Sequence, residues 1–538
     1  VSTASQSPLG RFAWPVVGAA AMRALDQHTI ETLGVSGDLL MENAGRAAAE
    51  RVAAELPQGG EVLVVCGGGN NGGDGFVVAR LLHLQGLPVR TVLLVDPRKL
   101  AGDAANNQQR AKEVGVPAVA TGWRAPRRGV IVDAIFGTGL ARPVAKALAA
   151  SVRKINAARS RDVRIVALDL PSGICADTGR VLGVAVEADL TVSFGLPKLG
   201  HVLEPGRSQS GRIVVARIGI ADTAPGIEPM AELWTQAGAG RQLPGRPVAG
   251  HKGSFGHALL VAGGEGKTGA AALAAEATGR VGAGLVTIAC PAGLNDILEV
   301  KCTEAMTVPV PDTSERAFAA GAEPLLRRLA AERDVVGLGP GIGREAETLK
   351  LVRSFVPQLK QPVVLDADGL HAFADDPARL KTRQGPTVLT PHPGEASALL
   401  GRSPSDINRD RPSSARALAE VTGAVVVLKG AATLIAAPEG RLIVNPTGGP
   451  ALATGGTGDV LLGMVTGFIA QGVLPFEAAA LAAWLHGFAA DRISERSGPA
   501  GMLAGDLLSE LPVAAQALRD AALAPPEETG LALRFPEP

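Results

Sequence analysis

EVLVVCGGGNNGGDGFVVARLLHLQ, residues 61–85, decides how the first half of this chain is read. EVLVVC is a nearly continuous apolar run rich in valine, the pattern of a strand buried on both faces of a parallel sheet. FVVARLLHLQ carries on as a helix. Between them stands GGGNNGGDG, residues 67–75. Gly67, Gly69 and Gly72 satisfy G-x-G-x-x-G between a strand and a helix. Asp96 ends the next strand, about where a dinucleotide fold places its ribose acid. Such glycines let backbone amides approach a pyrophosphate at a helix N-terminus. A tight turn would account for the glycines but gives no reason for Asn70, Asn71 and Asp74 among them. A Rossmann oxidoreductase is one reading of the fingerprint, which alone does not select a reaction.

The same alternation runs outward from this unit. Strand-like runs recur at 89–95, 129–133, 164–169 and 190–194. In the second half they stand at 258–262, 285–289, 335–337, 363–366, 387–389 and 424–428. Alanine-rich helical stretches such as 269–281 and 345–355 supply the crossovers. The pattern predicts an α/β chain with two domains, stated twice without visible similarity between the halves. The stretch 221–250 changes character, with Pro225, Gly226, Pro229, Gly238, Gly240, Pro244, Gly245, Pro247 and Gly250 and no apolar period. It reads as a surface linker. The expected domains are 15–224 and 225–520, and the Pro/Glu-rich tail from about Ala524 is expected to be disordered.

Composition sets outer limits. The chain has 538 residues, and Lys+Arg and Asp+Glu both number 52, which argues against a nucleic-acid binder with a basic footprint. Glycine (68) and proline (38) are abundant, yet 46% of residues are hydrophobic, so the glycines punctuate packed elements. Aromatics at 3%, with no tyrosine, argue against a base-stacking surface. The longest charge-free apolar stretch, 460–476, is broken by Gly463, Gly467, Gln471, Gly472 and Pro475 and does not read as a membrane span. The early residues are a weak match to a secretory signal. Cys66, Cys175, Cys290 and Cys302 form neither C-x-x-C spacing nor a disulfide framework. The expectation is a cytoplasmic protein that engages no membrane or nucleic acid.

Two more strand ends in the first half carry polar residues. IVDAIFGTGL places Asp133 at one, followed by Gly137, Thr138, Gly139 and Leu140; IVALDLPSG places Asp169 and Ser172 at another. Each aspartate alone is more often a cap or turn residue. Three polar loops at the carboxyl edge of one parallel sheet make a site the better reading, and their oxygens suit a hard cation. Lys198, in SFGLPKLGH, also follows a strand and is read about equally well as a solvated lysine.

Together MRALD, TIETLGVSGDLLMENAG, NNGGDGFVVAR, DAIFGTGL, DLPSG and FGLPKLG resemble the YjeF N-terminal family, the NAD(P)H-hydrate epimerases, over roughly residues 15–220. The resemblance implies a Rossmann-like doubly wound sheet and epimerisation at C6 of hydrated NADH and NADPH (NADHX, NADPHX). It places potassium on Asn71, Asp133 and Ser172. It places the hydrate on Asn70, Asn71, Gly72, Gly73 and Asp74, on Gly137, Thr138, Gly139, Leu140, Ala141, Arg142 and Pro143, and on Asp169. Asp169 is the first candidate for acid–base work at C6, with Lys198 second.

In the second half Gly266-Lys267-Thr268 looks like the end of a P-loop, but Val261 stands where the loop needs glycine. The informative stretch is NPTGGPALATGGTGDVLLGMVTGFIAQG. Gly455, Gly456, Thr457, Gly458 and Asp459 open a helix whose amides suit a phosphoryl group in flight, and Asp459 could take the proton of an attacking hydroxyl. A Thr457 cap explains one residue and not the glycine run. His392, between Pro391 and Pro393 and near Glu395, is read evenly as structural or functional. HKGSFGHALLVAGG, KTGAA, GLGPGIG, DADGL, TPHPGE, VLKGAAT and GGTGDV resemble the YjeF C-terminal family over roughly 245–512: ribokinase-like NAD(P)H-hydrate dehydratases that in bacteria use ADP with magnesium. By that resemblance Ala270, Gly341, His392 and Asp459 match hydrate positions. Lys429, Gly430, Ala431, Ala432, Thr433 and Gly458 match adenine-nucleotide positions.

The expectation is a bifunctional repair enzyme, expected to be homo-oligomeric. A small-metabolite kinase carrying a nucleotide-binding or scaffold N-domain is the alternative.

Overall fold

A computed structural model describes residues 11–119, 122–525 and 532–533. Nearly all of the tail after Ala524 therefore lies outside the described residues. The rest divides into two units, 14–232 with 532–533, and 233–525 with 11–13.

In the first unit, seven parallel strands run in the order Arg212–Ala216, Leu190–Phe194, Val163–Leu168, Gly129–Ala134, Glu61–Cys66, Val89–Leu93 and Ala118–Val119. The short strand Ala532–Leu533 adds antiparallel to Arg212–Ala216. From Glu61–Cys66 the chain winds first toward Ala118–Val119, then returns on the other side through Gly129–Ala134. The switch point of this doubly wound sheet lies between those two strands, where such sheets bind ligands. Along Glu61–Cys66, Val62, Val64 and Cys66 enter one apolar core while Leu63 and Val65 enter the other. Burial on both faces is why the run shows no polar alternation.

The helix after this strand begins at Asn70 and ends at Leu84, so Asn70–Asp74 form its first turn and not a loop. Close packing is the reason for several of the glycines. A Cβ at Gly72 would stand 2.2 Å from the Gly67 carbonyl oxygen, and one at Gly75 would stand 2.6 Å from the Ala134 methyl.

In the second unit, strands Met306–Val310, Leu285–Pro291, His257–Val261, Val335–Leu338, Val363–Leu365, Thr387–Leu389 and Val425–Leu428 lie parallel in that order. Leu434–Ala436 and Leu442–Val444 continue the sheet antiparallel. Helices Thr268–Arg280 and Thr457–Ala470 pack on each other within the main core of this unit.

The stretch read as a linker holds the strand Ala231–Trp234 and the helix Gln236–Gln242, capped by Thr235 Oγ1 accepting from the Gly238 amide at 3.1 Å. Gly238 and Gly240 are buried because backbone must approach backbone there. A Cβ on Gly240 would meet the Leu518 carbonyl oxygen at 2.0 Å. Glycine density here marks close contact, and so it hid a helix. No helix of the described residues is long and apolar enough to cross a membrane.

Candidate active sites

The carboxyl ends of Gly129–Ala134 and Val163–Leu168 carry the polar centre of the first unit. Asp133 is fully buried. Its Oδ1 accepts from Ser172 Oγ at 2.6 Å and from the Ile135 amide at 3.2 Å, and its Oδ2 accepts from the Ser172 amide at 2.8 Å. Burial pushes its carboxyl up to about 6 in spite of these bonds. Asn71, on the helix that starts beside this edge, has both amide atoms buried with no hydrogen-bond partner.

Asp169 follows its strand in a left-handed conformation, φ +63°, which costs a non-glycine residue about 1–2 kcal/mol. That geometry turns Oδ2 to the Thr138 amide at 2.9 Å and Oδ1 to Lys198 Nζ at 2.6 Å. Lys198 is entirely buried, and its ammonium also donates to the Phe194 carbonyl at 2.7 Å and Ser193 Oγ at 3.2 Å. The solvated-lysine reading is therefore wrong. Burial works against the Asp169 charge, but Lys198 and the Thr138 amide outweigh it and hold the carboxyl below its ordinary range. Asp74 goes the opposite way: burial first, then the charges of Asp169 and Asp26, push it well up. Two neighbouring carboxyls are thus shifted in opposite directions, as acid–base pairs require. Gly137 lies against Asp169, where a Cβ would stand 2.6 Å from Oδ2; Gly139, Ala141, Arg142 and Pro143 are exposed and Leu140 is half-buried along the same loop.

In the second unit, helix Thr457–Ala470 opens after Gly456 at φ +93°, with Gly458 and Asp459 in its first turn. A Cβ at Gly458 would stand 3.4 Å from Lys429 Nζ and 3.6 Å from Asp366 Oδ2, so glycine leaves this spot open to a ligand. Lys429 Nζ donates to Asp366 Oδ1 at 2.8 Å and stands 3.9 Å from Glu395 Oε2. Burial opposes the Lys429 charge; Asp366 and Glu395 more than compensate and raise it above the ordinary lysine value. Burial, with Asp366 next, raises Asp459 to about 6, against the pull of Lys429.

His392 caps helix Pro393–Leu400. Its Nδ1 accepts from the Gly394 and Glu395 amides at 3.0 and 3.1 Å, and its own amide donates to Glu395 Oε2 at 2.8 Å. The ring is therefore structural in part: its Nε2 stands 3.4 Å from Glu395 Oε1, and the His392 side chain is otherwise exposed. Gly341, at φ +70°, lies against Lys267 and Ala270; a Cβ would meet the Ala270 methyl at 3.5 Å. Next to it Asp368 accepts from Arg344 Nε at 2.8 Å, Lys267 Nζ at 3.1 Å and the Gly343 amide at 3.1 Å.

The family model described as NAD(P)H-hydrate dehydratase matches residues 258–513, and that of the YjeF-related protein N-terminus matches 37–200. A bifunctional NAD(P)H-hydrate repair enzyme Nnr from Moorella thermoacetica is 43% identical over 92% of this chain and 96% of its own length. Its namesake from Thermofilum pendens is 37% identical over 94% and 97%. The chain belongs to the bifunctional NAD(P)H-hydrate repair enzymes. A solved ADP/ATP-dependent NAD(P)H-hydrate dehydratase from Bacillus subtilis, co-crystallized with ATP/Mg2+, is 31% identical, with a TM-score of 0.46, over 53% of this chain and 97% of that one.

Within this repair-enzyme framework, sequence reading missed the supports of the sites. Asp366 and Asp368 stood inside the quoted DADGL motif without a role, and the positive φ of Ala367 between them (+49°) left no mark in the sequence. Arg411 carried no signal at all. Its guanidinium binds the carbonyls of Leu428, Lys429 and Ala432 at 3.0, 3.3 and 3.5 Å and so shapes the loop of Gly430, Ala431, Ala432 and Thr433. Burial pulls Arg411 down to about 10. Asp96, read as a ribose acid, pairs with Arg98 at 2.7 Å.

Proposed function

We propose that the second unit dehydrates the S epimer of NAD(P)HX at the expense of ADP, and that the first interconverts the R and S epimers at C6. The observation that carries the reading is the Asp459 carboxylate beside Gly458 at a helix N-terminus, facing the Lys429 ammonium. Asp459 removes the proton of the C6 hydroxyl, whose oxygen attacks the terminal phosphoryl of ADP as the bond to AMP breaks. The amides of Gly456, Thr457 and Gly458 and the Lys429 charge stabilise the transferring group. Phosphate then leaves C6, pushed by the ring nitrogen, and the C5 proton is lost. The products are NAD(P)H, AMP and phosphate. Magnesium, which travels with nucleotide phosphates and demands few protein ligands, supplies charge neutralisation when bound. Ala270, Gly341 and the Nε2 edge of His392 line the hydrate side, and the loop held by Arg411 takes the adenine nucleotide.

In the first unit, the C6 hydroxyl departs with a proton, the ring becomes an iminium, and water returns to the opposite face. Asp169 and Lys198, joined in a buried pair, and Asp74, whose carboxyl burial pushes up, are the groups that can move that proton. The orphaned Asn71 amide with Asp133 and Ser172 fits potassium: oxygen donors, one carboxylate, and a buried side chain otherwise left without partners. Such an ion, held by Asn71, Asp133 and Ser172, would supply positive charge against Asp133.

The test is recovery of reduced-nicotinamide absorbance from mixed NADHX epimers with ADP and magnesium. Complete recovery is expected. A stall at the S fraction, after allowing for spontaneous epimerisation, removes the epimerase; no recovery removes the dehydratase.

A further inference from the structure

His201 belongs to no loop assigned above, yet its ring bonds two main-chain groups of the epimerisation site. It lies in the short helix Leu199–Val202 and is entirely buried. Its Nδ1 accepts from the Lys198 backbone amide at 3.0 Å, so the ring proton sits on Nε2, which donates to the Asp169 backbone carbonyl at 2.7 Å. One ring therefore grips the main chain of both members of the buried ion pair.

We propose that His201 is a positioning residue of the epimerase: it ties the backbone of Lys198 to that of Asp169 and thereby fixes the carboxylate–ammonium pair toward the substrate. The need for such a clip is visible at Asp169. Its left-handed backbone is intrinsically unfavourable, and its two carboxylate oxygens reach Lys198 and Thr138 in that conformation. The bond from His201 gives the Asp169 carbonyl a buried partner in the same conformation. Rotation of this peptide would leave both the carbonyl and the imidazole N–H without partners.

The ring serves as a fixed donor and acceptor. Burial, reinforced by the Lys198 charge, pushes it down to about 3, so it stays uncharged across the working range. It makes no hydrogen bond to the Asp169 carboxylate, and its action runs through the main chain.

The inference rests on the epimerase reading, and two near-isosteric variants of the full chain test it. His201→Gln can place an amide N–H near the Nε2 position and keep the bond to Asp169. His201→Asn keeps only an acceptor near Nδ1. The expected result is that His201→Gln epimerises within a few-fold of wild type. His201→Asn is expected to lose on the order of 10²-fold in kcat with KM little changed, the scale of a small misplacement of a catalytic group. Its acid limb is expected to move to higher pH, as Asp169 loses part of its hold on Lys198 and Thr138. Dehydration of pure S hydrate by the same chains is expected to stay at the wild-type rate, which controls for protein quality.

Two unimpaired variants overturn the proposal. So do two variants equally impaired with an unmoved acid limb and a lowered Tm, the signature of a purely structural histidine. A wild-type chain that does not epimerise instead overturns the activity itself, and this role with it.

Discussion

At the residue scale, each site places a carboxylate under opposing forces, and pH separates them. Asp459 must be ionised to take the hydroxyl proton, and burial raises it to about 6. The dehydratase rate is therefore expected to fall on the acid side with a limb near that value. Asp366→Asn removes a like charge and is expected to move the limb down; Lys429→Met removes the opposing charge and is expected to move it up. Asp459→Asn is expected to abolish the limb and lower the rate by roughly 10²–10⁴-fold while epimerisation continues. Rate–pH profiles on pure S hydrate check all three, and a limb that ignores both neighbours would refute Asp459 as the base.

Asp133 offers a second reading. Its folded value, about 6, is above that of a free aspartate, so its stabilising contribution is complete at low pH and is lost as pH rises through 6. The loss is on the order of 3 kcal/mol at neutral pH. Potassium at Asn71, Asp133 and Ser172 would offset it. The Tm of the first unit is expected to rise with potassium over tetramethylammonium at pH 7, but not at pH 5 or in Asp133→Asn. Equal Tm values in the two salts at pH 7 would remove the potassium site.

At the scale of elements, glycine is the residue whose reading changed most. The helix pair Thr268–Arg280 and Thr457–Ala470 meets at Gly463, where a Cβ would stand 2.2 Å from the Ala274 carbonyl oxygen, and Thr278 Oγ1 donates to the Gly463 carbonyl at 3.0 Å. Gly463→Ala is expected to cost about 1–3 kcal/mol through overpacking. Gly279→Ala, on the exposed face of the partner helix with nothing within 4 Å, is expected to gain up to about 1 kcal/mol. Opposite shifts in the Tm of dehydratase inactivation check the pair; equal shifts would refute close packing at Gly463.

The same residue type limited what the sequence could say. Runs such as EVLVVC and VVVL announced the strands because both faces of each sheet are buried. The helix start at Asn70 and the helix Gln236–Gln242 did not announce themselves, because glycines chosen for close approach resemble glycines chosen for turns. Of the sites, the glycines, asparagines and aspartates clustered at strand ends were legible. Lys198 was only half legible, because a lysine after a strand is usually solvated and its three buried partners come from the folded chain. His201 and Arg411, which act on carbonyls contributed by other segments, have no local pattern at all.

At the scale of the molecule, a chain with equal numbers of acidic and basic residues offers its proposed anionic ligands helix-end amides and the paired Lys429 cation in place of a bulk positive charge. Each unit has its own core and its own polar centre at the carboxyl ends of its parallel strands. Asp169 and Lys198 lie wholly in the first unit, and Asp459, Lys429 and Asp366 wholly in the second. Damage to one centre should therefore leave the other intact, and the R-to-S product should be usable by any chain with a working second unit. Asp169→Asn is expected to repair only the S fraction at an enzymatic rate, and Asp459→Asn none of either epimer. An equimolar mixture of the two is expected to repair both, at a rate that rises with the concentration of each chain. Stalling of that mixture at the S fraction would mean that the hydrate cannot pass through solution between chains, and would overturn the independence of the two sites.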